Sequence, residues 1–219
     1  MDLLTPLQQK LLNAIGRSAL GDTFYLTGGT ALSAFYLQHR YSEDLDFFTA
    51  DPLAVNRVAP ILQEIATQLA VQVAFTRVLG SFLECFVWDA QERVKLDFAQ
   101  DTPYRLQPLR RHELHHVYLD SLPDIAANKL SALFDRAEPK DFVDVYFLCQ
   151  ETMPFAELLS LARQKHVGID DYWLAIALQR VRSVSLLPRM IRPISLADMQ
   201  AFFLQQAERL IRSADNGPG

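Results

Sequence analysis

Beyond about residue 120 of this 219-residue chain the strand-like spacing of apolar residues disappears, and that limits the folds open to it. Before that point, short runs in which β-branched and aromatic residues alternate with polar ones, the period of half-buried strands, stand between helical stretches. Beyond it, the apolar residues recur at the three-to-four spacing of helices. A strand-bearing mixed half followed by a helical half makes this an α/β chain of the α+β kind.

Along the first half, Leu4, Leu7, Leu11, Leu12, Ile15 and Leu20 predict an opening amphipathic helix over 3–20. A strand over 23–26 meets Gly28-Gly29, and a helix over 30–38 follows. Further strands are expected at 45–49, 71–78, 82–88 and 94–99, with a hairpin turn at 89–92. Between the first two of these, a helical region runs from Pro52 to Leu69, interrupted or restarted at Pro60. A polar loop over 100–115 and an extended run at 117–119 close the half. Helices are then expected at 122–136, 139–149, 153–166, 168–182 and 195–212, with Ser121 and Ser195 as N-caps. The domain reading is a core over 1–119, a helical region over 120–215 that packs on the core and completes its site, and a frayed tail at 216–219.

With 50% hydrophobic and 21% charged residues, the chain is too apolar to be disordered. No apolar run approaches the roughly 18 residues of a membrane span, and the start lacks a basic segment before an apolar one. A cytoplasmic protein with no membrane partner is the expectation. The two cysteines, Cys85 and Cys149, sit in apolar surroundings and read as reduced core residues. A net charge of -5 excludes a general nucleic-acid coat and leaves room for a local basic patch. Arg180, Arg182, Arg189 and Arg192 form such a run, with no acid between them, and Arg105, Arg110 and Arg111 are candidates to join it. A solvated loop is the commoner explanation of such runs.

Asp44-Leu45-Asp46 lies on an expected strand, so both carboxylates face one side and Leu45 and Phe47 the other. Val94-Lys95-Leu96-Asp97-Phe98 repeats the pattern and turns Lys95 and Asp97 away from the core. Three carboxylates on one sheet face repel one another unless hard cations neutralise them, and Mg²⁺ takes such oxygen ligands together with substrate phosphates. A solvated strand edge is the plain alternative. Thr27-Gly28-Gly29-Thr30 joins a strand to a helix, where glycine admits a close ligand, the first N–H groups attract phosphate and Thr30 adds a hydroxyl donor. A turn with no ligand explains it equally, and it is not a Walker A loop. His115-His116 lacks metal-ligand spacing and reads as a solvated loop.

In order and spacing, these blocks resemble the polymerase-β-like nucleotidyltransferase superfamily and, within it, the AbiEii/AbiGii toxin family of abortive-infection and toxin-antitoxin systems. The likeness runs from Leu26-Thr27-Gly28-Gly29-Thr30-Ala31-Leu32 through His39-Arg40-Tyr41-Ser42-Glu43-Asp44-Leu45-Asp46-Phe47-Phe48 to Lys95-Leu96-Asp97. It continues in Ile125-Ala126-Ala127-Asn128-Lys129-Leu130-Ser131-Ala132-Leu133-Phe134-Asp135-Arg136 and in Lys140-Asp141-Phe142-Val143-Asp144-Val145-Tyr146. The family often has Gly-Ser where this chain has Gly29-Thr30, which keeps the hydroxyl.

The resemblance implies a polymerase-β-like core with a small mixed sheet and a C-terminal helical bundle. It implies transfer of a nucleoside monophosphate from an NTP to an acceptor with release of pyrophosphate. Asp44 and Asp46 would hold Mg²⁺, or Mn²⁺ in its place, and Asp97 would complete the set and polarise the acceptor hydroxyl. Gly28, Gly29, Thr30, Lys129 and Arg136 would take the phosphates. Lys129 and Arg136 share a helix face at i, i+7, with a surface ion pair to Asp135 or Asp141 as the alternative for Lys129. Asp141 and Asp144 match the family's last acidic block and would fix Lys129 or Arg136 from behind, Asp144 being the better spaced for Lys129; Lys95 would support the acidic cluster. By analogy the acceptor is the 3′ end of a tRNA and the partner a separately encoded, AbiEi-like antitoxin, with Arg180, Arg182, Arg189 and Arg192 as the RNA contacts. The competing functions are modification of an aminoglycoside-like small molecule or a protein hydroxyl, and a non-catalytic nucleotide- or partner-binding module.

Overall fold

The computed structural model describes residues 3–215, so the expected tail at 216–219 lies outside the described residues. The described residues divide into two compact units, one of residues 3–36 and 42–121, the other of residues 37–41 and 122–215.

The first unit is built on a seven-stranded mixed sheet in the order β3-β4-β5-β2-β1-β7-β6. Its strands are β1 Tyr25–Thr27, β2 Asp44–Thr49, β3 Gln72–Leu79, β4 Phe82–Trp88, β5 Arg93–Gln100, β6 Arg110–His112 and β7 Val117–Leu119. Strands β2 and β5 pair in parallel, as do β1 and β7; the other neighbours are antiparallel. Alternation sorts the strands as expected, burying Leu45, Phe47, Val94, Leu96 and Phe98 beneath α1 Pro6–Gly16 and α3 Val58–Leu69. Phe47 stacks on Phe98 at 5.0 Å. Thr5 caps α1 in a capping box with Gln8, whose side chain amide also donates to the carbonyls of Ser42 and Glu43. A short helix α2, Gly28–Leu32, leaves β1 and opens into a π-helical turn, Ser33–Leu37.

Several local expectations are corrected. The opening helix ends at Gly16 rather than near residue 20; past it the Ser18 N–H and hydroxyl both donate back to the Ile15 carbonyl and close a tighter turn. The helical region begins as a 3-10 turn, Val55–Arg57, and changes to α3 at Val58, two residues before the expected Pro60; the proline sits in the first turn of α3, where its missing N–H would have no helical partner anyway. The segment expected as a polar loop contains β6, which pairs with β7. His115 is buried rather than solvated: it bonds Asn13 at 3.0 Å and stacks on His112 at 5.1 Å.

The second unit is helical, with α4 Leu122–Arg136, α5 Pro139–Glu151, α6 Phe155–Lys165, α7 Asp171–Gln179 and α8 Leu196–Asp215. Helix α4 packs on α5, α6 and α7, and α8 packs on α5 and α7. Phe142 and Phe203 meet edge to face at 5.0 Å in its core. Helix α7 starts later than expected because Gly168 holds φ at 103° and Asp170 caps the Trp173 N–H; it closes in a 3-10 turn, Arg180–Ser183. Ser195 caps α8 through the Asp198 N–H, as its sequence suggests. Residues 37–41 belong to this unit, where Arg40 forms a β-bridge with Met190. Among the described residues, no helix is long and apolar enough to cross a membrane.

Candidate active site

The acidic face of the sheet follows from alternation and register. Asp44 and Asp46 stand on the half-open face of β2, with Leu45 and Phe47 fully buried between and beyond them. Parallel pairing sets Asp46 beside Asp97 and Asp44 beside Lys95, and antiparallel pairing sets Glu84 on the other side of Asp97. Lys95 Nζ bonds Asp97 Oδ2 at 2.7 Å and meets Glu84 Oε2 at 3.3 Å. Burial, together with the charges of Glu84 and Asp44, holds the Asp97 carboxyl above its usual range against the opposing pull of Lys95. Burial draws the Lys95 ammonium down, but its bonds to Asp97 and Glu84 and the Asp44 charge more than offset this and raise it. Glu84 went unnoticed in the sequence, although the run Phe82 to Trp88 alternates and puts it on this face.

The donor set fits a hard divalent cation. It consists of carboxylate oxygens, and Asp97 Oδ1 is buried without a hydrogen-bond partner among the described residues. No three Asp, Glu, His or Cys side chains among the described residues gather closely enough to hold a metal by themselves. Mg²⁺ ordinarily accepts one or two carboxylates and completes its shell with water and substrate phosphate.

The glycine turn supports β2 directly. Gly28 has φ 70°, and a Cβ on it would stand 2.0 Å from Asp46 Oδ2, so this position is limited to glycine by conformation and by contact. Gly29 is buried within α2. The Thr30 hydroxyl donates to the Asp44 carbonyl, so it anchors the strand that carries the carboxylates rather than standing out as a phosphate donor.

In the helical unit, Asp144 on α5 is fully buried and gathers cations. Its Oδ1 accepts from His39 Nε2 at 2.7 Å and Arg40 Nε at 2.6 Å, and its Oδ2 accepts from Arg40 Nη2 and Lys129 Nζ, each at 2.8 Å. Burial pushes the Asp144 carboxyl up, but Lys129, Arg40 and His39 together carry it well below the usual carboxylate range. Burial keeps the His39 ring neutral, its bond to Asp144 notwithstanding. Lys129, 6% exposed, therefore pairs with Asp144 rather than with Asp135 or Asp141. His39 and Arg40 stand more than a hundred residues before Asp144 and gave no sign in the sequence of meeting it.

Asp141 takes Arg136 instead, its two oxygens accepting from Nε and Nη2 at 2.8 Å each. Arg136 is thereby held at the end of α4 with its side chain 45% exposed. Of the arginine run, Arg180, Arg182 and Arg189 are exposed, and Arg189 lies over the Tyr41 ring at 4.1 Å. Arg192 is paired with Glu151 at 2.5 Å. Arg105 is drawn into the first unit by Asp120 at 2.7 Å and the Tyr25 ring at 3.9 Å, and Arg111 by Asp22 at 2.8 Å. Both cysteines are free, and burial pushes each thiol up to about 12.

The family model "Nucleotidyl transferase AbiEii toxin, Type IV TA system" matches residues 10–214. The protein aq_aa25 of Aquifex aeolicus is 29% identical over 169 residues, which cover 74% of this chain and 76% of that protein. Among solved structures, JHP933 from Helicobacter pylori superposes with a TM-score of 0.59 at 21% identity, covering 96% of this chain and 91% of its own. MenT4, a nucleotidyltransferase toxin from Mycobacterium tuberculosis, does so with a TM-score of 0.63 at 18% identity, covering 94% and 82%. Likenesses at such identities speak for the fold, and the family match reaches nearly from end to end. The chain belongs to the AbiEii nucleotidyl transferase toxin family and is a nucleotidyltransferase.

Proposed function

We propose that this nucleotidyltransferase transfers a nucleoside monophosphate from an NTP to a hydroxyl of RNA, the 3′ end of a tRNA, and acts as the toxin of a toxin-antitoxin pair with a cognate antitoxin. The acceptor oxygen bonds to the α-phosphorus, and the bridge oxygen between the α- and β-phosphates leaves with pyrophosphate. Asp44 and Asp46 would hold Mg²⁺ or Mn²⁺, with Asp97 completing the set. When bound, the cation neutralises the phosphates and stabilises charge developing on the leaving oxygen. Asp97 polarises the acceptor hydroxyl, for which its unpartnered Oδ1 is suited. Lys129 and Arg136 take the phosphate charge.

The observation that carries this reading is the pair of carboxylates on one face of β2, with Gly28 leaving room for the Asp46 carboxylate, Thr30 holding the Asp44 backbone carbonyl, and Asp97 in register beside them. An RNA acceptor is supported by Arg180, Arg182 and Arg189, which are exposed in a chain of net charge -5. Incubating the protein with each labelled NTP and total tRNA, then with candidate small molecules and proteins, tests the assignment. Label appearing in tRNA only with a divalent metal supports it. Label confined to a small molecule or a protein replaces the acceptor, and no incorporation under any condition favours a binding module.

A further inference from the structure

We propose that Arg40 sets the charge of the Lys129 site: by taking up the charge of Asp144, it leaves the Lys129 ammonium able to attract a polyphosphate. This rests on the reading that Lys129 meets the NTP.

Two permanent cations converge on one buried carboxylate. Arg40 spans both oxygens of Asp144, and Lys129 shares Oδ2 with it. His39, kept neutral by burial, adds a hydrogen bond and no charge. A lone Lys–Asp pair would cancel and present an incoming anion with no net field. With Arg40 included, the group carries one surplus positive charge where the side chains of Arg40 and Lys129 are only 5% and 8% exposed. Water screens such a charge poorly, so an anion relieves it and is attracted by it. The bond to Asp144 also uses one of the three N–H donors of the ammonium, leaving others for phosphate oxygens. Arg40 is in this sense a positioning residue, which acts on substrate through Asp144 and Lys129.

Its rival is a purely mechanical role, in which Arg40 only staples residues 37–41 to α5. The two are separated by measuring pyrophosphate and non-hydrolysable NTP affinity calorimetrically, alongside thermal midpoints, in wild type, Arg40→Gln, Arg40→Lys and Lys129→Ala. Charge setting requires Arg40→Gln to weaken both ligands about tenfold or more, and to raise the KM for NTP more than it lowers kcat. Arg40→Lys, which restores the charge and loses the fork, should bind within about threefold of wild type even as its midpoint falls. In the Lys129→Ala background, Arg40→Gln should add little. The proposal is overturned if Arg40→Gln keeps wild-type affinity, or if affinity in Arg40→Lys drops along with its midpoint; the second comparison decides the matter should the glutamine variant not fold. If Lys129→Ala itself binds NTP normally, the reading of Lys129 fails first.

Discussion

Gly28 and the Asp46 carboxylate are so close that a single methyl group on the glycine would lie 2.0 Å from Asp46 Oδ2. The left-handed backbone at Gly28, φ 70°, adds a second objection to any side chain. Gly28→Ala is therefore expected to cost about 1–3 kcal/mol of stability and, by displacing the carboxylate, about a hundredfold in transfer rate. Melting curves and transfer assays on the same preparation check both. Wild-type activity would separate Asp46 from the reaction.

Asp44 and Asp46 lie on the half-open side of β2, so neither contributes to the core. Asp44→Ala and Asp46→Ala should each keep a native melting profile and lose on the order of 10²–10³-fold or more of transfer. Excess EDTA should silence wild type, and added Mg²⁺ or Mn²⁺ should restore it. Full activity of either variant, or in the presence of chelator, would defeat the metal reading.

Asp144 and Lys129 should respond differently to truncation. Asp144→Ala leaves Arg40, Lys129 and His39 buried without their common acceptor and should cost about 3–5 kcal/mol, read from urea midpoints. In Lys129→Ala, Arg40 still holds Asp144, so stability falls less while NTP use collapses; Lys129→Arg should recover little, because a planar fork replaces a compact charge. Equal stability losses with unchanged NTP kinetics would make Lys129 structural.

Acid should weaken the fold in two stages. The folded His39 pKa lies below its unfolded value of about 6.5, so the unfolded chain takes up the proton first and stability declines as pH falls through that value. His112 and His115, also lowered by burial, act in the same direction. The folded Asp144 pKa is likewise depressed, so its contribution is whole above about pH 4 and is lost as pH falls toward the folded value. Asp97, raised by burial, has the opposite sign and gains stability on protonation. Urea midpoints across this range should show a shallower first stage in His39→Gln and a shallower second stage in Asp144→Asn. Unchanged slopes in both would refute the assignment.

For RNA, the informative arginines are Arg180, Arg182 and Arg189. Replacing them with Gln should weaken tRNA binding and reduce the dependence of log affinity on log salt by about 0.7–0.9 per lost phosphate contact, with NTP affinity retained. Arg192→Gln should do much less, since Glu151 already holds that guanidinium. Identical salt slopes in wild type and the triple variant would remove this surface from the reaction.

The sequence carried what periodicity and local chemistry can carry. Alternation in 44–48 and 94–98 assigned Asp44, Asp46 and Asp97 to one face, and the structure sets them in that order on adjacent strands. The i, i+3 spacing of Asp141 and Asp144 placed both on one helix face with Lys129 and Arg136 as their expected partners, and the fold pairs Asp144 with Lys129 and Asp141 with Arg136. Arg110–His112 looked like loop because three polar residues pairing on one edge show no alternation. His115 looked solvated because its burial depends on Asn13, about a hundred residues away. Arg40 and His39 stayed hidden for the same reason: an ion pair closed across 104 residues leaves no local pattern.

The helical unit is discontinuous, since it includes residues 37–41 from within the first half. During synthesis, Arg40 emerges long before Asp144, 104 residues further on, so its side chain must wait, solvated, while most of the first half is made. The order of synthesis therefore makes the Asp144 cluster a late event in maturation. It also limits genetic exchange: a recombination crossover at residue 121 would bring in α4 and α5 without the His39 and Arg40 of their own lineage, and would leave a buried aspartate dependent on whatever the recipient carries at those two positions.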